Sequence, residues 1–378
     1  MRRDAGITTY KMKIKVLTPT FIGGGEDSSI NKSQYIYDSK NKKLSIIDER
    51  KLASFLGKKN LLGFYSGYVK EVSNLGKGKN SNANDMNIGE WYKKMLSMIK
   101  SDGDLSQCIK YTLDVSNIQR NQLNDVACFI KDVEGMPYIP GSSLKGSFAN
   151  AILVHHIKNN SNKYSSYWKD IKKETSRPGV NKWKLGKICD DLTKEIFDYN
   201  RTVNNQRHSI KGMSGISISD TEQFKRDSMK LYQRKDLLLT DKKENKLPIF
   251  RECLISPSQS SFSLTIDHLK IKEDLGIKSV EDILDAMDTQ FELLAGKDGL
   301  FQIFDNLNTM IPYDGNDRGM LFMGGGTGYL AKTIIAALAP SKEDLLKSVR
   351  NILHKDKPVT FIHKNDKKIS PRTLKVSD

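Results

Sequence analysis

The chain has 378 residues, and 61 Lys and Arg against 45 Asp and Glu give it a formal net charge of +16. Its length allows one large or two domains and excludes a short disulfide-stapled fold. No apolar run approaches the roughly 18 residues of a membrane helix, and the N-terminus has no apolar signal segment. We therefore expect a cytoplasmic, unprocessed protein without a membrane partner. The positive charge favours a polyanionic partner such as nucleic acid, although many surface lysines alone give the same composition.

The four cysteines and six histidines show no metal-binding pattern. The cysteines are scattered singly, without a CxxC pair, and no histidine lies at zinc or HExxH spacing. We expect reduced structural thiols, no metal and no cofactor.

The first glycine-rich segment follows a predicted strand. Residues 10–16 alternate apolar and lysine side chains, so one face packs on a core and the other is cationic. The lysines either protect an edge strand or form a basic sheet face. After Pro19, Gly23, Gly24 and Gly25 provide a backbone that can approach a ligand closely.

The middle of the chain contains a short predicted helix near residues 49–56, a flexible loop over 73–84 and a basic segment over 157–187. Tyr and Trp residues are interleaved with the Lys and Arg side chains of the basic segment. This composition suits a nucleic-acid surface, and it suits a solvated helical insertion with buried aromatic residues equally well.

Later residues predict strands that alternate with helices. Strands are predicted at 216–218 and over 262–268, with a domain boundary inside 221–247 that divides the chain into 1–225 and 226–378. Ser279 and Ser341 are predicted helix caps, each followed by Asp three residues later. A third helix is predicted between them from Leu330 to Leu338. The pattern predicts an α+β fold.

A second candidate site lies at the start of a predicted helix. Residues 138–147 read YIPGSSLKGS, in which Ser142 or Ser143 is expected to cap the helix and leave free amides at its start. The helix dipole and the Lys145 ammonium would attract a phosphate there. A bare cap beside a surface lysine is the alternative interpretation.

The third candidate site is the glycine-rich segment 323–333, which is also predicted to lead into a helix. It comes within one residue of a P-loop, because Ala331 occupies the position of the last glycine before Lys332 and Thr333. This departure makes NTP hydrolysis a poor expectation. Contacts from backbone amides to RNA phosphates need none of the missing parts.

Acid–base catalysis has weak support. His155 lies on the apolar stripe of the helix that follows Lys145, so we expect it in the core, and we expect its neighbour His156 to be more exposed. His156 could then act as general base in a metal-independent ribonuclease. Asp114, Asp125 and Asp220 are candidates only as loop carboxylates.

The order of these segments resembles the RAMP superfamily of CRISPR-associated proteins. The segments are LTPTFIGGG (17–25), IPGSSLKG (139–146), ISISD (216–220) and GGGTG (324–328), and the remaining anchors are PIFR (248–251) and PRTLK (371–375). Within the superfamily the chain looks most like the subunit that caps the crRNA 3′ end in type III-A Csm complexes. Residues 60–135 and 157–210 are not matched.

The resemblance implies two ferredoxin-like (RRM-like) RAMP domains with insertions, in a non-catalytic subunit that binds crRNA and assists its 3′ maturation. The implied partners are the 3′ region of crRNA, nearby target RNA, other Csm subunits, especially the repeated backbone subunit, and host nucleases. Two alternatives stay open: a RAMP endoribonuclease that processes crRNA, and the backbone subunit that cuts target RNA. The candidate RNA-binding residues are Gly23, Gly24, Gly25, Ser142, Ser143, Lys145, Gly146, Gly324, Gly325, Gly326, Thr327, Gly328 and Lys332.

Overall fold

A computed structural model describes residues 3–4, 6–25, 28–75, 87–99, 104–118, 123–177, 179–203, 205–238, 244–303, 318–329, 331–353 and 373–377. The strands are β1 (Arg3–Asp4), β2 (Ile7–Lys15), β3 (Ser29–Ile30), β4 (Tyr35–Asp38), β5 (Lys43–Ile47), β6 (Ile109–Asp114), β7 (Val126–Ala127), β8 (Tyr199–Val203), β9 (Gln206–Ile210), β10 (Ile216–Ile218), β11 (Met229–Leu238), β12 (Glu244–Leu254), β13 (Gln259–Asp267) and β14 (Thr373–Ser377). The α-helices are α1 (Glu49–Lys58), α2 (Leu62–Leu75), α3 (Ile88–Ile99), α4 (Gly141–Asn159), α5 (Ser165–Thr175), α6 (Lys182–Phe197), α7 (Val280–Ala295), α8 (Ile335–Leu338) and α9 (Lys342–Leu353). The α+β class is confirmed.

The smaller of two main sheets has four antiparallel strands in the order β1-β2-β13-β10. Both predicted alternating strands are confirmed, since Met12 on β2 pairs with Phe262 on β13 and their side chains face the core. Because β1 pairs only with Ile7 and Thr8, most of β2 is an edge strand. Its lysines lie on the exposed side of that edge.

The larger sheet follows the order β3-β7-β12-β11-β6-β5-β4, and β14 pairs with β11. Strands from before and after residue 225 pair with each other in both main sheets, as β2 does with β13 and β7 does with β12. The boundary between 1–225 and 226–378 stays a prediction.

The helices cover the sheets and enclose three apolar clusters. Helix α4 packs against β10 and α7 in the largest cluster, α5, α8 and α9 share a second, and α1 to α3 share a third. The caps predicted at Ser279 and Ser341 are confirmed. None of the described helices combines the length and the apolar character that a membrane span requires.

Two local predictions change in the structure. Helix α2 continues to Leu75, so the loop predicted over 73–84 begins as helix, and its residues 76–84 lie outside the described part of the chain. The helix predicted from Leu330 is reduced to α8, and Leu330 itself is outside the described residues.

The basic segment 157–187 forms the end of α4, all of α5 and the start of α6. Tyr164 and Trp168 are buried in the apolar clusters, as the helical-insertion alternative expects. Trp183 differs, because its side chain is 76% exposed.

Candidate functional site

One cavity of about 1040 Å³ is lined by residues from all three candidate segments, which are 17–25, 138–147 and 323–333. These segments are widely separated in the sequence, so the fold creates the site. The predicted residues that line the cavity are Gly23, Ser142, Ser143, Gly146, Gly324, Gly325 and Lys332.

The other predicted residues lie beside this lining in the sequence. They are Gly24, Gly25, Lys145, Gly326, Thr327 and Gly328. Lys145 adjoins Gly146 on α4 and is partly buried, and no described residue forms an ion pair or hydrogen bond with its ammonium. Lys145 and the exposed Lys332 therefore supply uncompensated positive charge at or next to the cavity.

The first and third glycine-rich segments are in direct contact. The amide of Gly325 donates to the Phe21 carbonyl oxygen at 2.8 Å. At Gly324, which has φ +86°, a Cβ would stand 2.3 Å from that same oxygen, so only glycine fits. The Arg251 guanidinium lies 4.8 Å from the Phe21 ring centroid and donates to the Gly325 carbonyl at 3.1 Å. Arg251 was not predicted as a site residue, because its role depends on contacts with two distant segments.

The start of α4 differs from the sequence prediction. Pro140 occupies the cap position and no serine side chain caps the helix, so the predicted cap at Ser142 or Ser143 is wrong. The Gly141 amide instead donates to Asp220 Oδ1 at 2.7 Å. A Cβ at Gly141 would stand 2.3 Å from the Ile218 carbonyl oxygen, which explains the glycine. The Asp220 carboxylate already complements the helix dipole, so attraction for an anion here comes from the lysines.

The third segment is not built like a P-loop. A helix does follow the segment, but α8 begins only at Ile335 and has four residues, and the described residues between Gly328 and α8 are non-helical. Lys332 precedes that helix, and Thr333 Oγ1 accepts a hydrogen bond from the Ile335 amide at 3.2 Å. A P-loop places its lysine at the start of a long helix, and Lys332 is not in such a position. The NTPase alternative therefore lacks the arrangement on which it depends.

The two histidines exchange their predicted environments. His156 is only 7% exposed and its Nε2 lies 3.0 Å from the Tyr164 hydroxyl oxygen. Burial, together with the positive charge of Lys163, lowers the pKa of His156. His155 is the more exposed of the two, with its Nδ1 2.7 Å from Thr289 Oγ1. The prediction of an exposed general base at His156 is therefore wrong.

The cavity also contains a polar residue that sequence reasoning missed. Gln290 lies on the buried face of α7 and lines the cavity together with apolar side chains that include Leu153 and Ile334. A glutamine at a core position of an otherwise apolar helix stripe was the available signal. Among the described residues, no group of His, Cys, Asp and Glu side chains is arranged to hold a metal ion.

Residues 13–329 match the RAMP superfamily. The chain is 24% identical over 360 residues to the CRISPR system Cms protein Csm5 of Enterococcus italicus, covering 92% of this chain and 85% of that protein. It is 27% identical over 265 residues to the protein of the same name from Streptococcus thermophilus, covering 68% of this chain and 64% of the relative.

Two solved structures have the same fold. One is a chain of the cryo-EM structure of a Csm-crRNA-target RNA ternary complex from a type III-A CRISPR-Cas system, with a TM-score of 0.62, 17% identity and coverage of 98% of this chain and 97% of that one. The other is the crystal structure of T. onnurineus Csm5, with a TM-score of 0.52, 18% identity and coverage of 85% and 92%. The predicted resemblance is confirmed, and the chain belongs to the RAMP superfamily.

Proposed function

We propose that this chain is the non-catalytic subunit of a type III-A Csm effector complex that binds the 3′ end of crRNA and assists its maturation in antiviral defence. The observation that carries the proposal is the convergence of the three candidate segments on one cavity flanked by Lys145 and Lys332, whose ammonium groups pair with no described residue. Glycine backbone permits close approach to phosphates, and lysine supplies the charge. Such binding is largely independent of RNA sequence.

The side chains considered for catalysis favour binding over cleavage. His156 is buried with a lowered pKa, which removes the general base of the endoribonuclease alternative. Asp220 accepts from the start of α4, and Asp114 pairs with Lys230 at 3.0 Å. These carboxylates have structural partners within the fold.

The proposed partners follow from what the similar proteins are named and assembled with. One structural neighbour belongs to a complex that contains crRNA and target RNA, and the relatives carry the Csm5 name. We therefore propose the crRNA 3′ region, nearby target RNA and other Csm subunits, especially the backbone subunit, as partners. Recruitment of nucleases stays a prediction from the resemblance.

The proposal is tested by comparing Csm complexes assembled with and without this chain. The purified chain and both complexes are incubated with 5′-labelled mature-length and 3′-extended crRNA, with and without magnesium. We expect binding without cleavage by the chain, and heterogeneous or lost mature crRNA in complexes that lack it. Cleavage by the nuclease-free chain alone would support the endoribonuclease alternative, and magnesium-dependent target cutting by the chain would support the backbone alternative.

A glycine variant tests the role of the cavity in this function. In Gly324→Ala the added Cβ collides with the Phe21 carbonyl and the residue must keep φ +86°, so the contact between the two segments is disturbed. We expect complexes with this variant to retain roughly tenfold less mature crRNA, a loss equivalent to about 1.4 kcal/mol. Gly63→Ala is the matched control, because a Cβ on that exposed residue of α2 meets nothing within 4 Å. Equal crRNA retention by the two variants would contradict the proposal.

A further inference from the structure

The side chain of Gln290 is largely buried and lines the cavity. The side chain is 4% exposed and lies on the face of α7 that also carries Met287 and Leu294. No described residue forms a hydrogen bond with its amide. The amide atoms are not among the buried side-chain atoms that lack a partner, so they are open to the solvent in the cavity. The donor and the acceptor of this amide are therefore available to a ligand that enters the cavity.

The shape and chemistry of the cavity restrict that ligand. The volume of about 1040 Å³ holds a group the size of a nucleotide. The walls include the apolar side chains of Leu153, Phe322 and Ile334, which suit the faces of a flat ring. Lys332 and the glycine-rich segments lie in the same lining, where a phosphate attached to that ring would be attracted. A ligand with an apolar ring, a polar edge and an attached phosphate fits all three features.

We propose that the cavity receives a single splayed-out base of the bound RNA and that the Gln290 carboxamide hydrogen-bonds to the edge of this base. This inference rests on the proposed function, because it specifies which part of the crRNA enters the site. A glutamine amide both donates and accepts, which matches the paired donors and acceptors of a base edge. Unpaired RNA bases are commonly recognised in this manner, since they leave the stack and enter pockets.

The experiment scans a single abasic nucleotide along a single-stranded crRNA and measures the affinity of the full chain for each RNA. We expect one position at which the missing base lowers affinity by roughly tenfold, while the other positions have little effect. Uniform affinity across the scan would overturn the inference while leaving the proposed function intact. Absence of RNA binding altogether would instead overturn the proposed function.

The variant Gln290→Leu tests whether the base at the sensitive RNA position binds in the cavity. The variant keeps the approximate volume and removes an amide with which no described residue forms a hydrogen bond, so the protein should unfold at about the same temperature. RNA affinity should fall by roughly tenfold, and the sensitive abasic position should lose its effect. Gln259→Leu is the control, since Gln259 is exposed at the start of β13. Unchanged affinity in Gln290→Leu, or an abasic effect that persists in it, would overturn the inference, and the scan of the wild-type chain decides the matter if the variant does not fold.

Discussion

Two buried polar side chains, Glu252 and Gln290, have opposite surroundings. Glu252 on β12 is 0% exposed and fully partnered: it forms an ion pair with Lys131, accepts from the Tyr111 hydroxyl at 2.6 Å and accepts from the Phe129 amide at 3.0 Å. Gln290 on α7 is almost as deeply buried, yet it has no partner among the described residues.

This difference separates a structural group from a binding group. The partners of Glu252 compensate for its loss of hydration. The burial of Tyr111, together with the negative charge of Glu252 and the hydrogen bond to it, raises the pKa of Tyr111. The carboxamide of Gln290 is instead open to the cavity where the candidate residues converge. A buried polar residue therefore indicates a binding function only where the protein itself does not supply its hydrogen-bond partners.

The largest effect is expected from Glu252→Leu. This variant removes the carboxylate that accepts from the partly buried Lys131 ammonium, the Tyr111 hydroxyl and the Phe129 amide, so the free energy of unfolding should fall by about 3–5 kcal/mol in urea denaturation. Adding Lys131→Met should recover part of the loss. Glu222→Leu is the control, because Glu222 forms only an exposed ion pair with Lys11 at 3.5 Å and should cost less than about 1 kcal/mol. Equal losses in the two variants would show that the buried partners of Glu252 contribute no more to stability than an exposed ion pair does.

A smaller effect is expected on the cavity side from Lys145→Ala. One lost phosphate contact should weaken RNA binding across all sequences and reduce the slope of log affinity against log salt by about 0.7 for a single strand. The measurement is a salt titration of binding with Lys40→Ala as control, since Lys40 lies in the turn between β4 and β5 outside the cavity. An unchanged slope would show that Lys145 does not contact an RNA phosphate.

The smallest effect is expected from His156, a buried polar group with one partner. Its pKa in the folded protein is lowered, so below the ordinary histidine value of about 6.5 the unfolded chain binds the extra proton. Stability should therefore fall as pH decreases from about 6.5 to the lower folded pKa, by at most about 1.4 kcal/mol per pH unit from this group. His156→Gln should flatten that part of the stability profile, and His155→Gln should not. Parallel profiles for all three proteins would contradict the assignment.

Elements with a strict local pattern could be predicted from the sequence. The alternation of apolar and polar residues defined β2 and β13, and the Ser-x-x-Asp signatures located the starts of α7 and α9. The environment of His156 could not be derived in this way. Of the two neighbouring histidines, it is His156 that contacts Tyr164, and this contact depends on where the chain folds back after α4.

The candidate site was predicted in its parts and not in its assembly. The glycine-rich segments were recognisable because glycine and lysine have distinctive conformational and charge properties. Long-range contacts determine the rest: Asp220, two residues after β10, accepts from the start of α4, and Arg251 on β12 donates to Gly325. Neither contact leaves a local pattern in the sequence, and the same holds for the position of Gln290 on the cavity wall.

The pairing of β2 with β13 affects how the protein is made. Ile7 pairs with Asp267, so the first long strand has no neighbour beyond the short β1 until most of the chain has left the ribosome. At ~5–20 residues per second this interval lasts on the order of 10–50 s, during which the edge of β2 is open to other chains. The lysines at alternate positions of β2 repel such chains during synthesis, and they keep this role in the folded protein because most of β2 stays at the sheet edge.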